Sequence, residues 1–303
     1  MAAPIRIGTC SWADDALSKH WYPPGTPPKE RLGWYAEHFS TVEVDSTYYR
    51  VPTAQMVQGW ADRTPEGFVM HVKAFGLMTR HPVKLEQVPP DFRDGLPVDA
   101  RGRVDRPSRE ARGAIFAEFL AALAPLREAG KLGGLLFQMP PYVVWKPSSL
   151  DYLEWAREQV GGETFLFEPR HRSWFAEDIQ AELLRWLEER RMSWVVVDAP
   201  KVDAGNVPAT LIAATTPTAY VRFHGRNAGT WNTRGGSAAH RFDYTYDESE
   251  LREWVSPMRE LSAEAEEAYA FFNNNNQTNG VAQAPAGAFL LRKLLDEQQV
   301  PTA

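Results

Sequence analysis

Four short stretches carry ionisable side chains two residues apart: Glu43 and Asp45, His71 and Lys73, Glu168 and Arg170, Arg222 and His224. On a β-strand that spacing places both members on one face, because successive side chains alternate. In the first two stretches the other face is apolar, with Val42 and Val44, then Met70 and Val72. Parity adds Gln138, Asp198 and one or more of Asn273, Asn274 and Asn275 to the polar set. Carboxylates and imidazoles move protons, whereas Lys and Arg neutralise charge that develops during a reaction. Glu168 or Asp198 is therefore the expected general base or acid, with Lys73 and Arg222 countering charge and His224 able to serve in either form.

The cations in this set are Lys73, Arg170, Arg222 and Arg226, and an anionic substrate carrying phosphate or carboxylate is the first expectation. Asp45, Tyr49, Gln138, Arg170, His171, Arg222, Arg226, Trp231, Asn273 and Asn274 are the residues expected to hold it. Gly225 and Gly229 offer neutral donors nearby, and Arg80, His81, Arg234 and Arg241 lie in loops that could add positive charge above them. A second expectation is a divalent metal held by Glu43, Glu168, Asp198 and His224. It has no H-x-x-x-H or D-x-H spacing behind it, and neighbouring Lys and Arg oppose a bound cation. A nucleophilic Cys10 is weaker still, since a buried thiol is more often packing. Trp12, Tyr48, Tyr49, Trp145, Trp174 and Trp231 could stack on bases or sugars, but each alone is ordinary core material.

Positioning these groups falls to about eight strands separated by helical stretches. Ile5–Trp12 is the first strand, then Thr41 onward, Phe68–Phe75, Leu132–Pro140, Thr164–Arg170, Ser193–Pro200, Ala219–Gly225 and Glu267–Asn276. Helical periodicity marks Lys29–Phe39, Thr53–Arg63, Arg109–Ala129, Ser148–Gln159, Trp174–Arg190, Glu248–Leu261 with a kink at Pro257, and Ala284–Glu297. Eight strands each followed by helix predict a single-domain α/β fold over residues 1–303, a (β/α)₈ TIM barrel. No Gly-rich dinucleotide loop follows the first strand, which weakens an open doubly wound sheet. The stretch Leu77–Ser108 is long for a βα connection and reads as a lid or binding insertion. In a barrel the polar set lines the interior at the C-terminal ends of the strands. The ordinary alternative is a satisfied ion-pair network such as Glu43–Arg222 with no ligand, and it weighs most for Glu43, His71 and Arg222, nearer the strand bottoms.

The 303 residues are 44% hydrophobic with a formal net charge of −6, so no global basic field holds nucleic acid. The single Cys10 excludes an intramolecular disulfide and a thiolate-rich metal cluster. The N-terminus lacks a basic start followed by an apolar run, and no apolar stretch approaches 20 residues, so the expected setting is the cytoplasm, away from membranes.

The segments IGTCSW, TVEVDSTYYRVP, TPEGFVMHVKAF, LGGLLFQMPP, EPRHRSW, VVVDAP, YVRFHGR and FFNN follow one another in the order of the domain-of-unknown-function-72 family, the YecE-like proteins. The resemblance runs from Ile7 to the last helix. Cys10-Ser11 and Pro285 depart from residues common in the family. The resemblance implies a barrel similar to those of sugar isomerases and endonuclease IV, and it implies no settled reaction. Three functions stay open: an enzyme acting on an anionic small molecule or nucleic-acid fragment, hydrolase or isomerase; a divalent-metal phosphodiesterase, whose nicking of abasic DNA EDTA would abolish; and a non-catalytic binder of nucleic acid or a phosphorylated ligand, salt-sensitive and leaving its ligand unchanged.

Overall fold

A computed structural model describes residues 2–202, 204–206, 209–231 and 242–303. Eight parallel strands form the central sheet: β1 (Ile5–Thr9), β2 (Thr41–Val44), β3 (Val69–Lys73), β4 (Leu132–Gln138), β5 (Phe165–Glu168), β6 (Met192–Asp198), β7 (Thr218–Phe223) and β8 (Glu267–Phe272). Their order is β1-β8-β7-β6-β5-β4-β3-β2, which curls until β1 and β2 meet as a nearly closed (β/α)₈ barrel.

That meeting is unusual chemically. No ladder joins β1 to β2; instead the Tyr35 hydroxyl accepts from the Thr9 amide at 2.9 Å and donates to the Thr41 carbonyl at 3.1 Å. Gly8 permits the approach, since a Cβ there would stand 2.4 Å from the Thr41 oxygen.

Around the barrel run helices α1 (Asp15–His20), α2 (Pro28–Ala36), α3 (Ala54–Asp62), α4 (Arg109–Ala122), α5 (Ala124–Glu128), α6 (Pro147–Val160) and α7 (Gln180–Glu189). They continue with α8 (Ala228–Trp231), α9 (Glu248–Arg252), α10 (Val255–Glu264) and α11 (Gln283–Glu297). Their apolar stripes, such as Ile115 and Phe119 of α4 and Leu183 and Leu187 of α7, pack on the outward side chains of the strands, among them Val42, Val72, Phe137 and Val221. A separate inner cluster of Leu136, Leu166, Val195, Val197, Tyr220, Tyr269 and Phe271 fills the barrel, so its lower half is packed core. His71 is enclosed there by the Tyr220, Tyr269 and Phe271 rings, and among the described residues both its ring nitrogens are without a hydrogen-bond partner.

Several expected elements end elsewhere, each for a local reason. β2 stops at Val44 and passes into a 3₁₀ turn, Ser46–Tyr48, so strand alternation does not reach Tyr48 and Tyr49. The helix expected over 109–129 breaks at Leu123, because Pro125 has no N–H to continue the ladder. The break expected at Pro257 falls instead at Glu253–Trp254; Pro257 lies in the first turn of α10, where its missing N–H costs nothing. Trp174 belongs to a 3₁₀ turn, Arg172–Phe175, ahead of α7. Among the described residues no helix follows β6, whereas α1 and a hairpin, β9 (Gln277–Thr278) with β10 (Val281–Ala282), were not expected. Along 77–108 the chain is pinned by Asp99, which accepts from the Arg101 and Arg103 amides and the Arg103 guanidinium, and by burial of Leu77, Met78, Val83, Val88 and Val104.

Candidate functional site

The C-terminal half of the barrel interior is floored by one guanidinium. Arg222 of β7 is fully enclosed and reaches carboxylates on two other strands. Its Nε and Nη2 donate to the two oxygens of Glu43 at 2.9 and 2.7 Å, and its Nη1 to Glu168 Oε2 at 2.5 Å. Tyr220 adds a bond of 2.8 Å to Glu43. The other Glu168 oxygen accepts from Gln138 at 2.8 Å, Arg170 at 3.0 Å and His224 at 3.0 Å. Burying charges is costly, and it is offset here because every carboxylate oxygen meets a donor. Burial alone would raise the Glu168 carboxyl; Arg222 and His224 outweigh it and hold the group well below the usual carboxylate range. Burial likewise pushes His224 down to about 3, so it is neutral. Asn273 Nδ2 lies 2.9 Å from the His224 Nδ1, and His224 Nε2 faces Glu168 at 3.0 Å together with the Arg170 and Arg222 guanidiniums at 3.2 and 3.3 Å. Cys10 sits beside Arg222, but burial and then Glu43 push its thiol well up, away from nucleophilic thiolate.

Above this floor lie groups of a different kind. Lys73 and Asp45, at the tops of β3 and β2, are only half-buried. Among the described residues neither the Lys73 ammonium nor the Asp45 carboxylate has a hydrogen-bond partner; Lys73 Nζ stands 4.9 Å from the Tyr48 ring centroid. Burial pushes Asp45 up to about 7, with Lys73 opposing and Glu43 reinforcing the rise. Burial, followed by the charge of Arg222, lowers Lys73. Asp14, which caps α1 through one oxygen, is raised to about 6 by burial, and its other oxygen has no hydrogen-bond partner among the described residues. His81 packs edge-on against Tyr48 at 5.1 Å. Opposite, Arg170 lies 4.8 Å from the Trp231 ring and 5.9 Å from Phe242, and Phe242 stacks on His224.

The structure thus brings together Glu43, Asp45, Lys73, Gln138, Glu168, Arg170, Arg222, His224, Trp231 and Asn273. It separates five others. Asp198 does not face the interior: in β6 the inward residues are Val195 and Val197, and Asp198 shares its side with Val196 and, across the ladder, Phe223. It pairs there with Arg226 at 3.0 Å, which also binds Glu253. The run WVVVD is apolar on both faces, so alternation carried no information in that strand. Tyr49 is about half exposed, and Tyr48 takes the position beside Lys73. His171 caps the turn at Ser173, and Asn274 donates to the Tyr244 carbonyl. Arg222 is at hand but wholly covered, so it supports the site from beneath. Arg234 and Arg241 lie outside the described residues. The expected metal set fails as a set, because Arg222 occupies the space between Glu43 and Glu168 while Asp198 faces away. Among the described residues no three His, Cys, Asp or Glu side chains group as metal ligands. Sequence reasoning missed Tyr220, which shares the parity of Arg222, and Phe242, which follows no strand pattern.

The chain as a whole matches known proteins. A family model described as "Protein of unknown function DUF72" matches residues 6–303. This chain belongs to the DUF72 family. It is 32% identical over 276 residues to the UPF0759 protein YunF of Bacillus subtilis, covering 90% of this chain and 89% of that one. Solved DUF72 structures are also similar. One from Enterococcus faecalis gives a TM-score of 0.77 at 25% identity, covering 96% of this chain and 95% of that chain. One from Thermotoga maritima gives 0.75 at 28%, covering 97% and 99%. Among the described residues no helix of this DUF72 protein is long and apolar enough to cross a membrane.

Proposed function

We propose that this DUF72 protein is an enzyme of acid–base chemistry, a hydrolase or isomerase, acting on a phosphate- or carboxylate-bearing small molecule or nucleic-acid fragment at the C-terminal mouth of the barrel. One observation carries the reading: among the described residues, Lys73 and Asp45 sit partly buried and without hydrogen bonds above a fully satisfied ionic floor. A cation and a carboxylate left without hydrogen bonds at the strand C-termini of a barrel are groups kept for a ligand. Lys73 and Arg170 supply the charge for the anion. Asp45, raised to about 7, holds or releases a proton near neutral pH and takes the role of base or acid. Glu168 and His224 then serve as positioning residues, since Glu168 spends its oxygens on Arg222, Arg170, Gln138 and His224. The outward position of Asp198 removes it from this chemistry and leaves the metal-phosphodiesterase alternative without a favouring observation.

The test is a thermal-shift screen of phosphorylated and carboxylated compounds on wild type, Lys73→Met and Asp45→Asn, followed by product analysis of any hit. The expected result is a ligand that stabilises wild type and Asp45→Asn, fails on Lys73→Met, and is converted by wild type alone. Equal stabilisation of Lys73→Met would refute the site. A ligand recovered unchanged from wild type would make the protein a binder.

A further inference from the structure

Beside the barrel mouth, the stretch 77–108 and the N-terminal turns of α4 and α6 enclose a second cleft of about 530 Å³. Four arginines line it, Arg80, Arg106, Arg109 and Arg112, against two aspartates, Asp105 and Asp151. This imbalance stands out on a chain of formal charge −6. The aspartates are already engaged: Asp151 pairs with Arg109, and Asp105 lies 3.8 Å from Arg106. Arg80 and Arg112 therefore face the cleft with no carboxylate. Both guanidiniums lie over the same aromatic ring, that of Tyr152, at 5.1 and 5.3 Å from its centroid. Arg112 gives its Nε to the Leu77 carbonyl at 3.1 Å, and among the described residues the Arg80 guanidinium has no hydrogen-bond partner. Arg80 is held in the left-handed region at φ 66, and its carbonyl is fastened by the Tyr142 hydroxyl. A non-glycine residue in that conformation is strained, so the backbone is fixed where it aims this side chain at the cleft.

Two like charges brought against one ring repel each other unless an anion lies between them. A carboxylate is satisfied by one guanidinium; a tetrahedral dianion, with more oxygens and more charge, matches several. We propose that this cleft is a binding site for a phosphoryl group, on inorganic phosphate, pyrophosphate or a phosphate ester, held chiefly by Arg80 and Arg112. It is distinct from the Lys73–Asp45 pocket and adjacent to it: His81 lines the cleft with its ring packed on Tyr48, which borders Lys73.

The experiment is calorimetric titration of the full chain with inorganic phosphate and with pyrophosphate at low ionic strength, on wild type, Arg80→Ala, Arg112→Lys and Lys73→Met. Among the described residues Arg80→Ala removes no side-chain hydrogen bond, so its fold is expected to persist, and circular dichroism checks this. The expected result is a site that Arg80→Ala weakens about tenfold or more, Arg112→Lys less, and that persists in Lys73→Met, where any anion held at the barrel mouth is removed. Absence of binding to wild type, or equal affinity in Arg80→Ala, overturns the proposal. Loss in Lys73→Met, with or without loss in Arg80→Ala, also overturns it as a separate site, because the anion would then belong to the barrel mouth. The reading of the mouth as an enzyme site stands or falls independently of these results.

Discussion

The floor and the rim of this barrel are built from the same residue types, acids and bases projecting inward from neighbouring strands. At the floor, Glu43, Arg222 and Glu168 close on each other across three strands, and each acceptor oxygen is matched. Above it, Lys73 and Asp45 are only partly buried and, among the described residues, without hydrogen bonds. Identical chemistry therefore does structural work where it is saturated and becomes available for a ligand where it is not. The distinction is one of pairing, and composition does not reveal it.

Breaking the floor should give the largest effect. Arg222→Met would leave two carboxylates buried without their cation and is expected to cost about 3–5 kcal/mol of stability, read from denaturant unfolding. A loss below about 1 kcal/mol would mean that the floor is not a structural clamp.

Acid comes next. Burial holds His71, His81 and His224 near pH 3, whereas an unfolded His takes its proton near 6.5. Between those values the unfolded chain binds more protons, so these groups withdraw stability as pH falls below about 6.5, at about 1.4 kcal/mol per unit of displacement for a fully buried group. Glu168, depressed in the fold, adds a loss below its unfolded value of 4.5. Asp45 and Asp14, raised to about 7 and 6, act with the opposite sign. Their contribution is complete below 3.8 and disappears as pH rises through those values. Melting temperature followed from pH 8 to 4 should therefore fall on acidification, and more steeply in Asp45→Asn, which lacks the opposing proton uptake. A flat profile in both proteins would contradict the burial assigned to the histidines.

Smaller effects sharpen the contrast. Tyr35→Phe removes the hydroxyl between β1 and β2 and is expected to cost about 1–2 kcal/mol, with faster hydrogen exchange at the Thr9 amide. Unchanged exchange there would show that the hydroxyl does not hold the seam. Lys73→Met should alter stability by less than about 1 kcal/mol while abolishing ligand binding, since no hydrogen bond is lost. His71→Leu should be neutral or stabilising by up to about 1 kcal/mol, because two unpartnered nitrogens leave an aromatic enclosure. A clear destabilisation would point to a partner that the ring satisfies.

The barrel and much of its interior were legible in the chain because β2, β3 and the C-terminal half of β7 alternate, and alternation reports which way a side chain points. It does not report what that side chain meets. Glu43 and Arg222 are 179 residues apart, and no pattern within either strand announces their bond. For that reason Glu168 reads as a catalytic acid from sequence and is a saturated acceptor in the fold. Asp198 was misplaced for a different reason, since its strand is apolar on both sides and offers no phase. Tyr48 and Tyr49 were exchanged in importance because β2 ends in a 3₁₀ turn that resets the count.

The Tyr35 hydroxyl has a consequence for how this barrel can change. Elsewhere around the ring, neighbouring strands are joined by main-chain groups that every sequence possesses, so their pairing is insensitive to single substitutions. At the β1–β2 joint a link between the strands is a side chain borne by a helix, so a single codon can loosen it. Divergent copies of this chain have at that position an inexpensive route to a looser barrel, with the change concentrated where Cys10 and Glu43 meet the floor.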